Sequence, residues 1–142
     1  MRYTSAFIST FISILLLASC KINQRSHGEK VGKWIYKDKI QDEVLISKGR
    51  YKNDFEKGIW KEYLNGSLVC KKKYKNGICY TTEYHLNGKI KAFGISKMEV
   101  EDENLHWFLS DEWKFYDEKG HYLGSRFYEF GAPIATTLDT IN

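Results

Sequence analysis

The sequence predicts an all-β protein, a single-layer antiparallel meander of hairpin repeats. Three dipeptides, Asn65-Gly66, Asn76-Gly77 and Asn87-Gly88, recur every 11 residues, and Gly120 and Gly131 are also 11 residues apart. Asn-Gly supplies the positive φ angles that a type I′ hairpin turn requires. Runs of β-forming residues lie between these turns, and turn signals repeated at about 8–12 residues are typical of all-β folds.

Each predicted strand is a block between turn signals. The block Gly32-Lys33-Trp34-Ile35-Tyr36 recurs as Gly58-Ile59-Trp60-Lys61-Glu62-Tyr63, and more loosely as Trp113-Lys114-Phe115-Tyr116. Leu68-Val69-Cys70 and the stretch from Tyr80 to Tyr84 supply β-formers between the Asn-Gly turns. The predicted strands are 32–38, 43–51, 58–64, 67–75, 78–86, 89–96, 105–116 and 121–130.

The turn positions also predict which residues lie opposite one another. Two-residue turns at the Asn-Gly pairs align Trp60, Lys71, Thr82 and Phe93 in one row across the strands. The opposite face then carries Tyr63, Leu68, His85 and Ile90. Neither face is consistently apolar, as a sandwich would require. We therefore expect one layer held by cross-strand pairs worth about 0.2–1 kcal/mol each.

The recurring blocks resemble MORN-type repeats, and more closely the bacterial variant described as YwqK-family antitoxins. The shared pattern is Gly-x-Trp-x-x-Tyr, an Asn-Gly turn, then an aromatic residue and a second Asn-Gly. The match covers residues 30–96 well and 107–131 loosely. Lys37 stands where the first block would have its second tyrosine, and Met98–Asn104 interrupts the period and is predicted to be an acidic loop. The resemblance implies the fold.

The N-terminus has the layout of a secretion signal. Arg2 precedes an apolar run from Ala6 to Ala18 that is too short for a membrane-spanning helix, which needs roughly 20 apolar residues. Leu17-Ala18-Ser19-Cys20 resembles the lipobox of bacterial lipoproteins. That resemblance implies a diacylglyceryl group on Cys20, cleavage before it and N-acylation of the new amino group. Lys21 then favours sorting to the outer membrane of the cell envelope.

These observations divide the chain into a signal peptide (1–19), a lipid-anchored tether (20–29), a repeat domain (30–131) and a C-terminal tail (132–142). Charge is uneven: Cys20 to Lys97 holds 18 basic and 8 acidic residues, whereas Met98 to Asn142 holds 3 basic and 10 acidic. Such a polar molecule could orient at an anionic surface or pair head to tail, although two solvated charge sets are the simpler interpretation.

The sequence contains no pattern of catalytic or metal-binding residues. The four histidines lack metal-ligand spacing. Glu99, Glu101, Asp102 and Glu103 lack the burial that glycoside hydrolysis needs and the arrangement of an EF-hand. We expect no enzyme, no metal site and no cofactor apart from the covalent lipid.

The lysines around Tyr74, namely Lys71, Lys72, Lys73 and Lys75, are expected to divide between two strand faces. Protection of a sheet edge is a more natural role for them than nucleic-acid binding. The predicted register also separates Cys70 from Cys79 by roughly 13 Å along the strands, which is too far for a disulfide.

The composition is rich in aromatic residues, with 4 Trp, 10 Tyr and 8 Phe. Trp34, Trp60, Trp107 and Trp113 could stack on sugars or peptides, although a role as the core of the sheet is the favoured interpretation. The candidate binding surface is Trp34, Trp60, Tyr63, Tyr80, Tyr84 and Trp113. The expected function is a non-enzymatic binding or scaffolding module for a protein or envelope polymer. The first alternative is an immunity or antitoxin-like partner of an envelope-acting toxin. The second is an accessory of a carbohydrate-active enzyme.

Overall fold

The described residues form one open antiparallel sheet whose strands are paired in chain order from β1 to β10. A computed structural model describes residues 21–101 and 104–138. The strands are β1 Gln24–Ser26, β2 Glu29–Ile40, β3 Glu43–Lys52, β4 Phe55–Leu64, β5 Ser67–Lys75, β6 Ile78–Tyr84, β7 Ile90–Glu101, β8 Asn104–Tyr116, β9 Tyr122–Glu129 and β10 Ala132–Thr136. Across the described part of the chain, no helix has the length and hydropathy of a membrane span. The predicted all-β, single-layer meander is confirmed.

The sheet extends beyond the predicted repeat domain at both ends. The segment 20–29, predicted to be a tether, contributes β1, and Ile22 forms a bridge with Lys33. The segment 132–142, predicted to be a tail, contributes β10, which pairs with β9. Both added strands are short and lack a strong β-forming block, so the repeat pattern did not reveal them.

The loop predicted for Met98–Asn104 was wrong for Met98 to Glu101 and for Asn104, whereas residues 102 and 103 lie outside the described residues. Strand β7 continues through Met98 to Glu101, and β8 begins at Asn104. Met98-Glu99-Val100-Glu101 alternates apolar and acidic residues, and this period of two is itself a strand signal. The density of acidic residues concealed that signal.

Two β-bulges shift the predicted rows by one residue. Glu62 pairs with Cys70 while Tyr63 pairs with Leu68, which leaves Val69 as the extra residue. Trp60 therefore lies opposite Lys72, and the prediction that it faces Lys71 was wrong. A similar shift after Glu83 places Ile90 opposite Tyr84 instead of His85. The turn at Asn87-Gly88 has a positive φ only at Gly88, whereas Asn65-Gly66 and Asn76-Gly77 have it at both residues, as type I′ turns require.

The Trp residues of the repeat lie flat over glycines of the preceding strand. A Cβ added to Gly49 would collide with the Trp60 ring, and one added to Gly94 would collide with the Trp113 ring. Trp60 Nε1 donates a hydrogen bond to the Arg50 carbonyl at 3.1 Å. Trp113 Nε1 donates one to the Ile95 carbonyl at 2.9 Å. The same packing thus occurs at both sites, although the two hairpins differ in length.

The register separates the sheet into two chemically different faces. One face, which we call the tryptophan face, carries Trp34, Trp60, Cys70, Cys79, Ala92 and Trp113, all of them buried. The other face, which we call the lysine face, carries Lys48, Lys61, Lys71, Tyr80 and Phe93. The tryptophan face also carries the charged side chains of Glu62 and Lys72, so neither face is consistently apolar, as the sequence predicts.

Candidate functional site

A groove of about 560 Å³ crosses the tryptophan face between β4 and β8. Its floor comes from side chains that the paired strands place side by side: Cys70 of β5 lies opposite Glu83 of β6, and Lys72 lies opposite Thr81. Its lining is Glu62, Val69, Cys70, Lys72, Tyr74, Cys79, Thr81, Glu83, Ser96, Trp107, Leu109 and Trp113. We call it the central groove. Its lining combines apolar side chains with a few charged and polar groups, which is the usual composition of a ligand site.

An ion pair lines the central groove. Lys72 Nζ is 2.7 Å from a Glu62 carboxylate oxygen, and both side chains are about one-third exposed. Burial acts to lower the pKa of Lys72, but its hydrogen bond and charge attraction to Glu62 outweigh burial and leave that pKa raised. The lysine therefore stays charged at neutral pH and can hold a polar group of a ligand through its remaining N–H donors.

The two thiols of the groove are poor nucleophiles. Cys70 and Cys79 are free and buried, and the register separates them by four residues along the strands, as predicted. Burial raises the pKa of Cys70 to about 11, and the charge of Glu62 adds to the effect. Burial also raises the pKa of Cys79, whose sulfur lies 3.6 Å from the Thr81 hydroxyl. Because only the thiolate attacks or binds metal readily, these groups serve as packing.

Two aromatic residues form the exposed wall of the groove. Tyr74 and Trp107 meet edge to face, with ring centroids 5.4 Å apart and an interplanar angle of 69°. Trp107 is 39% exposed, in contrast to 6% for Trp113 at the other side. Burial, with the neighbouring Cys79, raises the pKa of Tyr74, so its hydroxyl stays protonated. An exposed indole beside a protonated phenol can stack against a ligand and donate a hydrogen bond to it.

The structure places the predicted binding surface on two opposite faces. Trp34, Trp60 and Trp113 lie on the tryptophan face and are 8%, 6% and 6% exposed, so their predicted role as core is confirmed. The same prediction was wrong for Trp107, which is 39% exposed. Tyr63 and Tyr84 are half-buried on the lysine face, and Tyr80 is 47% exposed there. Of the six residues, only Trp113 lines the central groove. The six therefore do not form one continuous surface.

The aromatic residues at the β2–β3 end of the tryptophan face already hold a cation. Lys30 Nζ lies 4.9 Å from the centroid of the Tyr51 ring, 5.4 Å from Trp34 and 5.7 Å from Tyr36. Burial, followed by the hydrogen bond with Tyr36, raises the pKa of Tyr51. Since the chain's own lysine fills this aromatic box, the box stabilises the fold and is not open to a ligand.

The remaining predictions fall outside the groove or outside the described residues. Cys20, the signal peptide and the last residues of the tail lie outside the part of the chain that the structure describes. His121 contacts Asp117 at 3.0 Å in an exposed turn, and the backbone hydrogen bond from His121 lowers the pKa of that aspartate. Within residues 21–101 and 104–138, no three His, Cys, Asp or Glu side chains come together as a metal site.

The lysines around Tyr74 divide between the faces as predicted. Lys71 and Lys73 lie opposite Thr82 and Tyr80 on the lysine face, whereas Lys72 enters the groove. The predicted role in edge protection was wrong, because β5 lies between β4 and β6 in the middle of the sheet.

The sequence did not reveal Glu62, Lys72 and Tyr74 as one site. Uniform pairing places Trp60 opposite Lys71, and therefore assigns Lys72 to the other face. Glu62 lies three residues before the Asn65-Gly66 turn, and Cys70 lies four residues after it. The two can therefore pair only if one strand carries an extra residue, and that was the signal available in the sequence. Nothing in composition indicates which strand accepts that residue.

Comparison with known proteins adds little. No protein-family model matches the chain, and no curated protein matches it. Among solved structures, the crystal structure of the GtfA/B complex is similar over 91% of this chain and 22% of that chain, with 11% identity and a TM-score of 0.25. A similarity at that TM-score supports no conclusion about fold or function.

Proposed function

We propose that the protein is a lipid-anchored binding module of the bacterial cell envelope, tethered through acyl chains on Cys20. The central groove is the binding site, and its ligand is a protein segment or an envelope polymer. The observation that supports this proposal best is the groove itself, because the exposed Trp107 and the Glu62–Lys72 ion pair line the same cavity. The lipobox resemblance of Leu17 to Cys20 supports the anchor, and Lys21 supports outer-membrane sorting.

A non-enzymatic role is part of the proposal. Activated nucleophiles and general acids depend on pKa values shifted toward neutrality. In the groove the shifts run the other way, since the pKa values of Cys70 and Cys79 are raised above their ordinary values and that of Lys72 is raised as well. Charged and hydrogen-bonding groups that do not change protonation near neutral pH suit recognition.

Metabolic labelling with palmitate tests the anchor. The wild-type chain is expected to incorporate label and to remain in the membrane fraction, because stable anchoring takes two or more acyl chains. Cys20→Ala is expected to abolish both label and membrane retention. Cys70→Ala is the matched control and keeps both. Retention of an unlabelled Cys20→Ala protein in the membrane would contradict the lipid anchor.

The groove is tested with soluble peptidoglycan fragments and with envelope extracts. The wild-type protein is expected to retain a ligand that Trp107→Ala loses, because truncation removes the exposed stacking surface. Tyr80→Ala removes an exposed aromatic ring of the opposite face and is expected to leave retention unchanged. Equal retention by both variants would rule out the groove.

The alternatives predict other outcomes. An immunity role predicts that co-expression rescues cells from an envelope toxin encoded nearby, and that the toxin is what Trp107→Ala fails to retain. An accessory role in carbohydrate metabolism predicts co-purification with a glycan-active enzyme.

A further inference from the structure

Basic side chains line up in direct register on the lysine face. Lys48 of β3 pairs with Lys61 of β4, and Lys61 pairs with Lys71 of β5, so three lysines stand side by side across three strands. Neighbouring strands are about 4.8 Å apart, so the line spans roughly 10 Å. We call Lys48, Lys61 and Lys71 the lysine track.

More positive charge flanks the lysine track. Arg50 pairs with Lys57 on one side, and Lys73 lies opposite Ile59 and Tyr80 in the row between. Lys48 Nζ also lies 4.4 Å from the centroid of the Tyr63 ring, which fixes it on this face.

Acidic side chains of the same strands lie on the opposite face. Glu56 pairs with Tyr51, and Glu62 pairs with Cys70, so both belong to the tryptophan face. Lys48, Lys61, Lys71 and Lys73 form no ion pair with any side chain in the described part of the chain. Like charges directly opposite each other on a sheet are destabilising, so this row weakens the free protein and gains from an added anion.

We propose that the lysine track binds a linear polyanion of the cell envelope, a polymer chain carrying phosphate or carboxylate groups. A row that crosses strands offers evenly spaced positive charges along one line, which a polymer with repeating negative charges can follow. In the next row Lys73 lies between the exposed Ile59 and Tyr80, so charge interrupts the apolar surface beside the lysine track, whereas insertion into a bilayer favours a continuous apolar patch. This site is separate from the central groove and does not depend on ligand binding there, but placing the polymer in the cell envelope rests on the proposed Cys20 anchor.

The experiment uses the full chain purified in detergent and inorganic polyphosphate as the probe. The variant carries Lys48→Gln, Lys61→Gln and Lys71→Gln. Each neutralised phosphate contributes about 0.7 to the slope of log affinity against log salt for a flexible polyanion. The variant is therefore expected to bind on the order of 100-fold more weakly at about 0.1 M salt, with a slope smaller by about 2.

The control variant removes the same charge elsewhere, through Lys21→Gln, Lys91→Gln and Lys119→Gln. It is expected to bind within about threefold of the wild type with the same salt slope. Equal losses in both variants would show that only net charge matters and would overturn the proposal, as would a wild-type protein that does not bind polyphosphate.

Acetylation of lysines, read by mass spectrometry, separates the polymer from a lipid surface. Polyphosphate is expected to protect the lysine track, whereas reconstitution of the anchored protein in phosphatidylglycerol vesicles is expected to leave the track as reactive as in phosphatidylcholine vesicles. Protection of the track by phosphatidylglycerol alone would assign the face to the bilayer and overturn the proposal. Failure of the Cys20 anchor would not affect the polyphosphate result.

Discussion

The two faces of this sheet are formed by the same strands but bury their apolar side chains to different extents. On the tryptophan face, Trp60 and Trp113 are each 6% exposed because they lie over glycines of the neighbouring strand. On the lysine face, Ile59 and Tyr80 are 50% and 47% exposed, and Lys73 lies between them. A single-layer sheet has no second layer to bury its apolar residues. The comparison shows that one face of a single sheet can bury its own aromatic rings when those rings lie flat over glycines. The other face is then available for charged side chains.

The largest expected effect compares one aromatic truncation on each face. Trp60→Ala is expected to lower the free energy of unfolding by about 3–5 kcal/mol, because it removes a buried ring and its hydrogen bond to the Arg50 carbonyl. Tyr80→Ala is expected to cost less than about 1 kcal/mol, since that ring is half exposed. Urea unfolding measures both, and similar costs would contradict the asymmetry of the faces.

A methyl group added under a ring tests how that burial is achieved. Gly94→Ala is expected to destabilise the protein by about 2–3 kcal/mol, because the new Cβ occupies the position of the Trp113 ring. Gly94 has an ordinary backbone conformation, so the cost comes from the ring and not from φ. In the double variant with Trp113→Val the added cost of Gly94→Ala is expected to fall by more than half. Additive costs would show that the glycine is not required for the ring.

The raised pKa of Cys70 makes stability depend on pH. The thiol has an ordinary pKa of 9.0 and a pKa of about 11 in the folded protein. Between pH 9 and 11 the folded state therefore keeps a proton that the unfolded chain loses. The contribution of this thiol to the free energy of unfolding is complete below pH 9 and declines as pH rises toward 11. As pH rises from 9 to 11, the free energy of unfolding of Cys70→Ala is expected to fall by about 1–2 kcal/mol less than that of the wild type. Val69→Ala is the control, and its pH dependence should match the wild type.

The smallest expected effect is a gain in stability on the lysine face. Lys61→Thr is expected to raise the free energy of unfolding by about 0.5 kcal/mol, because it removes two direct like-charge pairs and introduces a better β-former. Lys57→Thr, which leaves the track intact, is the comparison. A stabilised Lys61→Thr protein that binds polyphosphate more weakly would show that the row is kept for its charge. Loss of stability would show that the lysine packs favourably against its neighbours.

Local sequence determined the strands and most of the turns. Asn65-Gly66 and Asn76-Gly77 adopt the backbone that their chemistry favours, and the block Gly58-Ile59-Trp60 lies in a strand as its residue types predict. These features depend on a few neighbouring residues, so a repeat in the sequence is enough to find them. Strands β1 and β10 were not predicted, because their own residues carry little β signal and they form by pairing with the neighbouring strands β2 and β9.

Tertiary structure decided which residues share a face. One extra residue at Val69 moves Lys72 into the groove beside Glu62 and leaves Lys71 in line with Lys48 and Lys61. A shift of one residue reverses every side chain of a strand, and its position depends on how adjacent strands pack. The sequence by itself therefore determined a meander of aromatic hairpins, whereas the groove and the lysine track exist only because the bulges set the register.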